Sequence, residues 1–190
     1  LYLEGRSERS ERVHGDVKEI LFSADELNKR VKELGKQITT EYQGRELLVI
    51  GVLKGANVFL GDLIRHIELP LEIDFIAAAS YGNSTESSGV VRLLKDLDYP
   101  IENRHVLLIE DLIDTGLTLN YLADNLKARQ PASFKICTLL DKPERRKVAI
   151  EVDYKGFDIP DEFIVGYGID YSQKYRNLPY VATLKPEVYA

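Results

Sequence analysis

The sequence predicts an α/β protein, a parallel-sheet core flanked by helices with a small irregular C-terminal hood, and three observations carry that prediction. Apolar runs of strand length recur at residues 47–52, 71–79, 106–109 and 133–140. Stretches with helical periodicity precede or separate them, and strands alternating with helices imply a parallel sheet with right-handed crossovers. After residue 141 the pattern breaks into short apolar pieces punctuated by Gly156, Pro160, Gly166, Gly168, Pro179 and Pro186. We read this last part as a cap above the strand ends, not a continuation of the sheet.

The elements follow in order. Ser23-Ala24-Asp25-Glu26 has the spacing of a capping box, after which Leu27, Val31, Leu34 and Ile38 fall on one helical stripe. Residues 47–52 (LLVIGV) form a buried strand, followed by Leu53-Lys54-Gly55-Ala56 and a helical pattern through Phe59, Leu60, Leu63, Ile64 and Ile67. A second strand, 71–79, runs into a polar, Gly-containing stretch from Ser80 and Tyr81 to Gly89. Long excursions of this kind in compact domains are often lids or binding loops. Residues 106–109 are a third strand, 118–128 a helix with Leu119, Leu122 and Leu126 inward, and 133–140 a fourth strand. Residues 163–167 and 181–184 are short apolar pieces of the hood.

With 190 residues and 44% hydrophobic content, the chain holds one substantial core and is expected to be one domain. Residues 1–14, rich in Arg, Glu and Ser, are expected to be a mobile tail, with the core at about 15–141 and the hood at about 142–190. A net charge of -6, from 31 acidic and 25 basic residues, argues against a general nucleic-acid binder. No apolar run is long enough to span a membrane. The single Cys137 excludes an internal disulfide framework, no signal-peptide pattern is present, and a reduced, cytoplasmic setting is expected.

The chemistry concentrates in VLLIEDLIDTGLTL, residues 106–119. An apolar strand ends in Glu110 and Asp111, then a turn rich in Asp, Thr and Gly leads into a helix. In open α/β sheets the ligand crevice lies at the carboxyl ends of the strands, so these groups face it. Backbone N–H groups at Thr115, Gly116, Leu117 and Thr118, with the two Thr hydroxyls, make an anion site at a helix N-terminus. Glu110 and Asp111 would repel that anion, so their partners are hydroxyls and a hydrated divalent cation, Mg²⁺ preferring hard oxygen ligands. A ligand with a phosphate, vicinal hydroxyls and a metal-bound pyrophosphate fits every feature, and phosphoribosyl pyrophosphate is such a ligand. An acidic pair after a strand can also simply cap the next helix; the whole pattern favours the ligand.

This segment resembles the ribose-phosphate motif of the type I phosphoribosyltransferases, in their hypoxanthine-guanine branch, and other segments agree in the expected order from about Val17 to Leu184. The resemblance implies that Leu53, Lys54, Gly55 and Arg176 bind pyrophosphate, with a Leu53–Lys54 peptide that can be cis. Ser80 and Tyr81 would begin a mobile loop closing over the reacting centre. Lys142 would donate to the 6-oxo group of a purine and Phe163 would stack on its face. The Ile164 backbone would read the base edge, with Leu112 and Asp170 also at the base. Glu110, Asp111 and Asp170 would serve Mg²⁺, and Asp114 would take a proton from the base. Leu117 stands where some relatives carry lysine, which points to a microbial type. Expected partners are the purine base and phosphoribosyl pyrophosphate, not nucleic acid or membrane, and the chain is expected to form a homodimer or homotetramer. A xanthine-preferring enzyme, and a non-catalytic regulator that senses the ribose donor, remain alternatives.

Overall fold

The computed structural model describes residues 15–81 and 90–189. The expected tail, 1–14, and most of the expected loop, 82–89, lie outside the described residues. The main sheet has six strands in the order β4-β3-β2-β5-β6-β7. These are β2 (Leu47–Leu53), β3 (Leu71–Tyr81), β4 (Val90–Lys95), β5 (His105–Ile113), β6 (Ser133–Asp141) and β7 (Tyr154–Asp158). All pairings are parallel except β3 with β4.

The apolar runs form the middle of this sheet because both of its faces are covered. On one face, helices α1 (Ala24–Glu41) and α2 (Ala56–Ile64) pack on Val49, Leu107, Ile109, Cys137 and Leu139. On the other, α3 (Leu117–Lys127) packs Leu119, Leu122, Ala123 and Leu126 on Leu48, Ile50, Val106, Leu108 and Ile136. The predicted α1 stripe, Leu27, Val31, Leu34 and Ile38, is fully buried. Its capping box is formed as expected: the Ser23 side chain accepts from the Glu26 N–H, and the Glu26 carboxylate accepts from the Ser23 N–H at 2.8 Å.

Three strands depart from the sequence reading. Ser80 and Tyr81, expected to open the long loop, instead end β3, where their backbones pair with Val91 and Val90 of β4. β7, inside the region assigned to the hood, extends the main sheet by pairing in parallel with β6, so the sheet does continue past residue 141. Conversely β1 (Val17–Phe22), assigned to the core, pairs antiparallel with β9 (Val181–Leu184), which pairs with β8 (Ile164–Val165). The hood is thus a three-stranded sheet stitched from both parts of the chain, with Val165, Leu178, Tyr180, Ala182 and Leu184 as its own small core. A short helix, α4 (Pro186–Tyr189), follows β9. No helix among the described residues is long and apolar enough to cross a membrane.

Candidate active site

Strand order locates the crevice. The chain leaves β2 for β3 on one side and returns to pair β5 on the other, so the carboxyl ends of β2 and β5 flank a topological switch point. Leu53-Lys54-Gly55 leaves β2 at this point, and the Leu53–Lys54 peptide is cis. Glu110 and Asp111 lie opposite, but within β5 and not at its end, because β5 continues to Ile113. Asp111 faces the turn so closely that a Cβ on Gly55 would stand 1.8 Å from its Oδ2, so any other residue there would displace the carboxylate.

Burial raises the pKa of Glu110 well above the usual carboxylate range, and the neighbouring charge of Asp111 adds to this. Burial raises that of Asp111 as well, opposed by its hydrogen bonds and the Arg176 guanidinium. Two adjacent carboxylates, Glu110 buried and Asp111 half-buried, the second disfavouring ionisation of the first, form a hard-oxygen donor pair that a divalent cation would stabilise. The third expected ligand, Asp170, is held elsewhere. Its Oδ1 pairs with Arg176 at 2.6 Å and its Oδ2 accepts from the Gln173 N–H at 2.8 Å. Among the described residues no three His, Cys, Asp or Glu side chains are gathered into a metal site. The acidic pair therefore fits Mg²⁺, whereas Asp170 would first have to exchange Arg176 for the ion.

Beyond β5 the chain makes a tight loop into α3. Gly116 has φ +82, the left-handed region open to glycine, and caps α3 without a side-chain hydrogen bond to the first turn. The loop is braced from below, where the Lys147 N–H donates to Thr115 O at 2.9 Å and Lys142 N–H to Ile113 O at 2.9 Å. A cavity of about 120 Å³ opens here, lined by Glu110, Asp114, Thr115, Gly116 and Thr118 among others. The Leu117 N–H donates to Thr115 Oγ1 at 3.4 Å, and helix N-terminal N–H groups facing a small cavity suit a phosphate.

A larger cavity, about 640 Å³, adjoins it and is lined by Leu112, Asp114, Lys142, Phe163, Ile164 and Asp170 together. All the residues expected at the purine, from β5, the end of β6 and the hood, thus meet around one space. Lys142 is buried, its Nζ donating to Glu162 O at 2.7 Å and lying 3.7 Å from Asp161. Phe163 keeps 40% of its surface exposed. Asp114 lines both cavities. The expected pyrophosphate residues line neither cavity: Lys54 Nζ donates to Gln173 Oε1 at 3.3 Å, and Arg176, which donates to Gly168 O at 2.7 Å, lines a separate pocket with Asp62 and Tyr167.

Sequence reasoning missed eight residues of the large cavity, among them Lys18, Arg145, Asp161 and Tyr189. Arg145, in the single 3₁₀ turn after Lys142, pairs with Asp114 at 2.9 Å and with Asp161 at 3.4 Å. Asp161 thereby links the cation beside the expected proton acceptor to Lys142. Of these four, only Arg145 left a local trace, lying three residues after Lys142 on a Pro-started turn. Lys18 and Tyr189 arrive from distant parts of the chain on the hood sheet and helix.

Comparison with known proteins agrees with this geometry. Residues 19–172 match the phosphoribosyl transferase domain family. The chain is 55% identical to the hypoxanthine-guanine phosphoribosyltransferase of Bacillus subtilis, over 92% of this chain and 97% of that one. It is 54% identical to the bifunctional protein TilS/HprT of Listeria innocua, over 95% of this chain but only 28% of the length of that relative. A crystal structure of a hypoxanthine phosphoribosyltransferase from Staphylococcus aureus superposes with a TM-score of 0.92 at 51% identity, covering 94% of this chain and 97% of that one. Matched by the family over residues 19–172 and by a relative covered almost in full, the chain belongs to the phosphoribosyltransferase family, in its hypoxanthine-guanine branch.

Proposed function

We propose that this chain transfers the 5-phosphoribosyl group from phosphoribosyl pyrophosphate to hypoxanthine or guanine, giving IMP or GMP and pyrophosphate. The observation that carries the reading is the position of Asp114 on the wall common to the loop cavity and the base cavity. A carboxylate there borders both a ribose phosphate and the ring of a base, the place for a group that accepts the proton a purine loses as its nitrogen attacks the anomeric carbon.

The other roles follow from chemistry. N–H groups of Thr115, Gly116, Leu117 and Thr118 bind the 5-phosphate, while Glu110 and Asp111 hold the ribose hydroxyls and stabilise positive charge developing on the sugar. Phe163 stacks on the purine, the Ile164 backbone reads its edge, and Leu112 and Asp170 complete its surroundings. Lys142, already bonded to a carbonyl, donates to the 6-oxo group and so favours 6-oxopurines over adenine. Lys54, Arg176 and the turn through Leu53 and Gly55 meet the pyrophosphate. Mg²⁺, held through Glu110 and Asp111 with Asp170 in support, would neutralise charge on the leaving pyrophosphate. Ser80 and Tyr81, at the end of β3, begin the loop that would close on the reacting centre and exclude water. We further propose a cytoplasmic setting and a homodimer or homotetramer.

The test is a panel of hypoxanthine, guanine, xanthine and adenine with the donor and Mg²⁺, followed by pyrophosphate release. Release with hypoxanthine or guanine is expected. Preference for xanthine would move the chain to a sister specificity, and silence with every base would make it a donor-sensing regulator.

A further inference from the structure

We propose that Tyr189 is a positioning residue of the base subsite, its ring holding that of Phe163 in the orientation that stacks on the purine. This deepens the function proposed above and rests on it. Phe163 lies at the edge of the hood, just before β8, with 40% of its surface exposed, and a phenyl ring so exposed would ordinarily sample several rotamers. Two rings restrain it. Tyr189 stacks on one face, centroids 4.9 Å apart and planes 19° from parallel, and Tyr171 meets its edge at 5.3 Å and 90°.

Tyr189 is itself anchored. Val188 packs on the hood core, its N–H donates to Lys185 O at 3.0 Å, and the Lys185 N–H donates to Asp16 O at 2.9 Å beside β1. With one face covered and one edge met, Phe163 lines the large cavity together with Asp114, Lys142 and Tyr189. A base entering there completes a stack of three rings, base on Phe163 on Tyr189. Offset-stacked aromatic pairs contribute beyond the area they bury, so Tyr189 fixes in advance a ring that would otherwise lose its freedom on binding. The effect falls on base binding. It does not reach the donor, bound across the crevice, nor the bond changes at the anomeric carbon.

The experiment is steady-state kinetics with hypoxanthine varied at saturating donor and Mg²⁺, comparing wild type with Tyr189→Ala, Tyr189→Leu and Tyr189→Phe, each confirmed folded by its melting curve. Expected is a KM for hypoxanthine raised roughly 3- to 10-fold in the Ala and Leu variants, with kcat and the donor KM unchanged and the Phe variant restored. Leu keeps apolar bulk without a flat face, so a Leu variant equal to wild type would reduce the contact to packing and overturn the proposal. An unchanged KM in Tyr189→Ala overturns it too. So does a lowered KM, which would place the tyrosine ring where the base binds. A wild type silent with every base brings down the proposed function and this inference together, whereas an active wild type with an unaffected Ala variant brings down the inference alone.

Discussion

Asp114 borders both cavities and is paired with Arg145 at 2.9 Å, so its carboxylate is oriented before any substrate arrives. General-base assistance is worth about 10² to 10⁴ in rate, so Asp114→Asn is expected to lower kcat by that factor while the donor still binds. Rapid-quench turnover at saturating substrates checks this, and an unimpaired variant would remove Asp114 from the mechanism. Lys142 makes a separate contribution, reading the base without moving a proton. Lys142→Ala is expected to weaken hypoxanthine binding by about 1.5 to 3 kcal/mol, the scale of a charged hydrogen bond, as measured by calorimetry in the presence of pyrophosphate and Mg²⁺. At this scale the site was largely legible, because the acids, the Thr-Gly loop and Lys142 are contiguous with apolar strands that announce their own ends. Arg145 and Asp161 were not, since Arg145 pairs with Asp114 and with Asp161, 31 and 16 positions away, a closeness only the fold creates.

Among the elements, what the sequence displays depends on how deeply each is buried. β2, β5 and β6 lie in the middle of a sheet covered on both faces; β2 reads as an unbroken apolar run, and β5 and β6 as largely apolar strands interrupted by Glu110 and Asp111 and by Lys135 and Thr138. β4 (VVRLLK) and β7 (YKGFD) are the two edge strands, and edges carry charge and glycine in place of a continuous apolar run, so their local signal fades. β1 (VKEILF) has apolar residues enough, but its partner is β9, more than 150 residues away, and nothing local shows that pairing. Helix α1 is the opposite case, with cap and stripe both written in adjacent residues. Its capping box makes a direct prediction: Ser23→Ala should lower unfolding free energy by about 0.5 to 2 kcal/mol in urea, with hypoxanthine turnover untouched. A variant as stable as wild type would show that the cap contributes nothing in this fold.

Across the whole molecule, the site is assembled from one rigid sheet and one stitched hood. The sheet supplies the acids, the phosphate loop and Lys142. The hood supplies Phe163, Ile164, Asp170 and Arg176, and is itself tied to β1. The Asp170–Arg176 pair, at 2.6 Å, marks where rearrangement is needed, because both residues have polyanionic or cationic partners to take up in the proposed complex. The account depends on a sugar phosphate seated in the loop between β5 and α3. Diffraction from crystals soaked with phosphoribosyl pyrophosphate and Mg²⁺ tests this most directly. The account predicts phosphate oxygens within hydrogen-bond reach of the N–H groups of residues 115–118, with the ribose hydroxyls against Glu110 and Asp111; a donor bound elsewhere, with that loop left empty, would contradict it.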